Sequence, residues 1–218
     1  MITTSKEGAF RPTAGALRLV EAGAVSPGSV NATDYISTLA EYCPYLKPSR
    51  ARGMTGWTVY EIAAGARASA VEAELFYAGV QAAERVRLLM ARAGGVLACE
   101  SIVLLGQAAD ADHRELMTWP HWALKNLYGP VGLMFGKFTE GTQDSDRFGR
   151  TIPPAPFSFL PVRASVRLRD PKFLEGTPGL AAAVAAAADD GRDVFGDKPH
   201  EWKAVRAWAS SLPVPRRQ

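Results

Sequence analysis

The chain has 218 residues, 47% hydrophobic and 22% charged, with a formal net charge of +3. That balance suits one globular domain with a sizeable core. It is too mild for a nucleic-acid binder, which concentrates its basic residues in a stripe. No run approaches the eighteen or so apolar residues of a membrane span, and the N-terminus lacks the basic-then-apolar pattern of a secretory signal. Two cysteines, Cys43 and Cys99, make neither a disulfide framework nor a metal site, so a reduced, cytoplasmic setting is expected.

In chain order, residues 1–30 read as a loosely held arm with one short helix around Ala14–Ala22. Asn31 or Thr33 is placed to cap a helix through Tyr42, and Pro44 and Pro48 interrupt the pattern beyond it. Thr55–Ala63 is aromatic and β-branched and reads as a strand. Ala68–Arg92 repeats apolar residues at helical spacing, with Gly94–Gly95 as its stop. Cys99–Gly106 is a nearly all-apolar run, the pattern of a central strand covered on both faces.

Asp112 opens a helix that Pro120 should kink or restart, with Thr118 as the new cap. Val131–Phe138 reads as a buried strand, Thr139–Pro156 as a long polar loop and Phe157–Leu168 as a strand. Pro178–Asp190 and Pro199–Leu212 read as C-terminal helices. The order predicts an α/β or α+β fold: a single two-layer domain at 31–212, a mixed β-sheet packed by helices, and a basic tail at 213–218.

Three constellations carry the chemistry. Strand side chains alternate between faces, so Arg163, Ser165, Arg167 and Arg169 share one face at roughly 6.6 Å intervals. Guanidinium forks at that spacing suit an anion such as a carboxylate or phosphate. The plainer alternative is a solvated edge paired with Asp144, Asp146 or Asp170. Gly132, Met134, Gly136 and Phe138 share a shallow strand face on which a flat ligand could lie, or against which a helix packs closely. His121 stands between Trp119 and Trp122, a setting for an axial haem ligand, a general base or a hydrogen-bonded structural histidine. A general base at His121 could work with Glu140 or Asp144 from the long loop. No phosphate-binding glycine loop, zinc spacing or nucleophile elbow occurs.

Cys43-Pro44-Tyr45, Gly132-Leu133-Met134, Gly136-Lys137-Phe138, Pro154-Ala155-Pro156, Val162-Arg163 and Asp170-Pro171-Lys172-Phe173-Leu174 resemble the motifs of an uncharacterised bacterial domain-of-unknown-function family found near natural-product genes. The chain departs from that pattern where Thr139-Glu140 replace its His-Pro. The layout also resembles, more loosely, that of small haem-dependent N-oxygenases. The resemblance implies a small biosynthetic enzyme that uses haem to oxidise an acidic or amino-acid-like molecule. His121 would then be the axial ligand and catalytic residue, and Arg163 and Arg167 would clamp propionates or the substrate carboxylate. Gly132, Met134, Gly136 and Phe138 would line the pocket. The rival expectation is a cofactor-free binding or accessory protein for an acidic small molecule or a partner enzyme, with a homodimer compatible with either.

Overall fold

The computed structural model describes residues 15–24, 26–91, 95–146 and 148–166, together with 170, 177, 179, 180 and 182. Among these, a five-stranded mixed sheet is packed by helices, an α+β arrangement as expected. Strands β1 (Leu17–Ala24), β2 (Thr55–Ile62), β3 (Cys99–Leu105), β4 (Leu133–Phe135) and β7 (Ser158–Ala164) stand in the order β1-β2-β3-β7-β4. Two further strands, β5 (Asp144–Ser145) and β6 (Thr151–Ile152), form a small separate hairpin.

Strands β2 and β3 are the parallel pair, joined by the long helix α3 (Ala68–Met90). A parallel pair needs such a crossover. The apolar run of β3 is explained by its place between β2 and β7, with Leu104 only 1% exposed. Side-chain alternation then divides the core in two. Ile102, Leu104, Leu160 and Val162 face α3 and α5 (Thr118–Tyr128), where Phe76, Leu124 and Tyr128 meet them. Trp57, Val59, Val103 and Phe159 face the other way, against Tyr35, Ile36 and Leu39 of α1 (Thr33–Tyr42). The short helix α2 (Leu46–Ala51) continues that second cover and supplies Leu46. It accommodates Pro48, which the sequence pattern marks as an interruption.

Three expectations are corrected. The helix around Ala14–Ala22 is instead the edge strand β1, antiparallel to β2 and bulged between Leu19 and Glu21. Its start is tied down by the Glu74 carboxylate, which accepts from the backbone N–H groups of Ala16 and Leu17. That long-range anchor holds the segment as a strand start. Second, the expected strand Val131–Phe138 is broken. Gly129–Val131 is a 3-10 turn ended by Gly132 in the left-handed region (φ 83°), which leaves only Leu133–Phe135 as strand. Phe138 rejoins the sheet by a bridge to Phe159. Third, the helix at Asp112 restarts as expected, α4 (His113–Leu116) giving way to α5, but Met117 is the cap residue and Thr118 bonds back to Arg114 O.

The C-terminal helices at 178–190 and 199–212, apart from Gly179, Leu180 and Ala182, lie outside the described residues, as do Arg167 and Arg169. Among the described residues no helix is long and apolar enough to cross a membrane.

Candidate functional site

The register of the sheet assembles the site. Cα partners across the strands put Cys99, Arg163 and Met134 in one row, and Trp57, Ser101 and Pro161 in the next. The two rows sit two residues apart, so their side chains leave the same face of the sheet. Gly136 extends the second row through its N–H bond to Pro161 O. These residues floor a cavity of about 270 Å³. Leu39 and Tyr42 of α1, with Cys43, Tyr45 and Leu46 after it, form one wall. Phe138, Phe159 and Ile152 close the opposite side, and Asp144 and Asp146 of the hairpin region stand with them.

The lining is chiefly aromatic and aliphatic. Phe138 stacks on Phe159 with centroids 4.6 Å apart and planes 4° from parallel. Trp57 and Tyr35 meet the same Phe159 ring at 6.1 and 6.3 Å. Gly136 allows Pro161 and Phe138 to approach closely. A Cβ there would lie 3.0 Å from Pro161 and 3.4 Å from Phe138. The hairpin is latched over α1 by Arg150, which lies 4.9 Å above the Tyr42 ring and donates to Glu41 O.

Two polar groups in this setting matter. Trp57 is 4% exposed, and its indole Nε1–H is buried with no hydrogen-bond partner. A buried unpaired donor costs about 1–3 kcal/mol, which an acceptor placed beside it would recover. Arg163 is the second. Its fork donates to both Asp170 oxygens, at 2.6 and 2.9 Å, and to Ala164 O, and the guanidinium carbon lies 4.9 Å over the Tyr45 ring. The paired-edge alternative therefore describes Arg163 better than the anion clamp, with Asp170 as the partner. Behind Arg163, the Cys99 thiol is pushed up to about 12 by burial, with Cys43 adding to the shift, so it stays protonated.

Of the residues singled out from sequence, Met134, Gly136, Phe138 and Arg163 share this cavity, while Gly132 caps the turn before β4 and does not line it. His121 does not line it either. It rides on α5, which packs with α3, and its Nε2 lies 3.1 Å from Phe135 O. A carbonyl only accepts, so Nε2 carries the proton and satisfies an oxygen of the outermost strand. Burial pushes the imidazole down to about 4, so it is neutral near pH 7.

Haem ligated by His121 does not fit this cavity. The imidazole is outside its lining, its Nε2–H is committed to Phe135, and about 270 Å³ is small even beside the roughly 300–1,000 Å³ of drug-sized ligand sites. Among the described residues no three His, Cys, Asp or Glu side chains group as a metal site.

Trp57, Tyr42 and Phe159 are site residues that the sequence did not single out. The alternation in TGWTVYEI puts Trp57 on the face opposite Thr58, but only the strand order reveals that this face meets Met134 and Phe138.

No family model, curated protein or solved structure matches the chain. Residue roles therefore rest on the geometry of this molecule.

Proposed function

We propose that the chain is a binding protein for a small, planar, largely apolar molecule, held between the sheet and α1. The observation that carries this reading is the chiefly aromatic and aliphatic cavity between the sheet and α1, built around the Phe138–Phe159 stack. Apolar lining with a few placed polar groups is the usual character of small-molecule sites. The flat Phe138–Phe159 stack and the absent side chain at Gly136 favour a ring over a branched chain. Binding is favoured over proton transfer because the Cys99 thiol is held protonated by burial and Arg163 is committed to Asp170.

Calorimetric titration with indole, 2-naphthol and hexanoate tests it. The two ring compounds should bind with a negative heat-capacity change, the marker of apolar burial, and hexanoate should bind more weakly. Gly136→Val places methyl groups in the cavity and should weaken ring binding by about tenfold or more. Equal binding of all three probes, unaffected by Gly136→Val, would count against the reading.

A further inference from the structure

We infer that the molecule carries a second, polar binding site in the groove at the C-terminal end of β3, suited to a dipolar small molecule of the amino-acid or short-peptide class. The groove encloses about 1140 Å³ and shares none of its lining with the apolar cavity. Its floor is Leu104 to Gly106 and the start of β7 at Ser158, and its sides carry His113, Arg114 and Glu140. In open sheets with parallel strands, ligands gather beyond the carboxyl ends of those strands.

Each group has a defined state. Gly106 takes φ 79°, where a side chain would be strained and a Cβ would sit 3.3 Å from Ile62 O. The turn at Gly106 is therefore built for glycine, and its carbonyl oxygen lies 2.6 Å from His113 Nε2. That carbonyl can only accept, so Nε2 holds a proton and donates to it. Ser158 is fully buried, and its Oγ accepts from Glu140 N at 3.0 Å, which fixes the backbone carrying the Glu140 carboxylate. Arg114 and Glu140 are exposed, of opposite charge, and neither side chain has an ion-pair partner among the described residues. Asp112, which also lines the groove, accepts from Glu115 N at the start of α4, and the exposed pair Arg114 and Glu140 then matches a ligand that carries both an ammonium and a carboxylate. Glu140 takes the ammonium and Arg114 takes the carboxylate, with the His113 ring beside them.

The full chain is titrated with glycine, diglycine and triglycine, and with butylamine and butyrate as single-charge controls. Binding is followed by calorimetry and by the ring-nitrogen NMR signals of His113. At least one dipolar probe should bind about tenfold more tightly than either control and should shift the His113 ring signals. Glu140→Gln should abolish its advantage over butyrate, and Arg114→Gln its advantage over butylamine. Both positions are exposed, so unchanged melting temperatures confirm that these variants fold. Trp57→Phe should leave the affinity unchanged, which separates this site from the apolar cavity. Dipolar probes no tighter than the controls, an unmoved His113 ring, or indifference to both charge variants would overturn the proposal.

Discussion

Arg163 and Asp170 form a two-pronged ion pair, Nη1 to Oδ2 at 2.9 Å and Nη2 to Oδ1 at 2.6 Å, beside the apolar cavity. The Asp170 carboxylate also accepts from Val166 N, so one acid orders the turn and neutralises the arginine. The side chains are 14% and 10% exposed, so the pair is largely withdrawn from water.

Removing one partner of such a pair leaves an uncompensated buried charge. Asp170→Asn should therefore cost about 3–5 kcal/mol, read as a shift in the urea midpoint. The double variant Arg163→Met/Asp170→Leu should recover the part of that loss that comes from the unpaired guanidinium, while the loss of the acceptor for Val166 N remains. A fully stable Asp170→Asn would show that Arg163 reaches water in solution.

His121 predicts an acid dependence. Its folded value is pushed by burial from the ordinary 6.5 down to about 4. Protonation therefore favours the unfolded chain. The stabilising contribution is complete above pH 6.5 and is lost as pH falls toward 4, by at most about 3 kcal/mol. His121→Gln keeps an N–H for Phe135 O and should flatten the difference. Urea melts of both proteins across that window check it, and parallel curves would contradict the burial of the imidazole.

Gly79 marks the closest approach of α3 and α5. A Cβ there would lie 2.2 Å from Cδ1 of Leu124, itself fully buried. Alanine gains about 1 kcal/mol of helix propensity but overpacks at a cost of about 1–3 kcal/mol. Gly79→Ala should thus lose about 1 kcal/mol net, whereas the same change made in a Leu124→Ala background, which itself costs about 2–5 kcal/mol, should no longer destabilise, as read by thermal denaturation.

The middle of the fold is legible in the sequence. β2, α3 and β3 each show strong periodicity or unbroken apolarity, and both signals come from burial that the sheet then supplies. Local pattern misleads where tertiary contacts decide. Nothing local near Ala16 announces that Glu74, far along the chain, will hold it as a strand start. Gly132 looks like one more strand glycine, whereas its positive φ ends a turn. The site is half legible. Alternation alone places Met134, Gly136 and Phe138 on one face, and Arg163 with its anionic alternative on another strand. Which faces meet depends on strand order and register, and these bring in Trp57 and leave His121 on the other side of the core.

The two cysteines should differ in reactivity. Burial holds the Cys99 thiol up to about 12, so almost none is thiolate at pH 8. Cys43 should be alkylated first by iodoacetamide, and a ring compound in the cavity should slow it, since both thiols line that space. Mass spectrometry of peptides after timed quenching reads the order. Faster labelling at Cys99 would contradict its environment.

Met134 offers the most direct reading of the apolar site, because its side chain lines the cavity while Met54 and Met117 belong with the core on the opposite face. With methyl-labelled methionine, NMR spectra are recorded as 2-naphthol is added. The Met134 methyl signal should shift and show contacts to the probe's ring protons, with Met54 and Met117 unmoved. A bound probe that leaves Met134 unchanged and contacts a different methionine would show that the cavity beside Trp57 is not where the ligand goes.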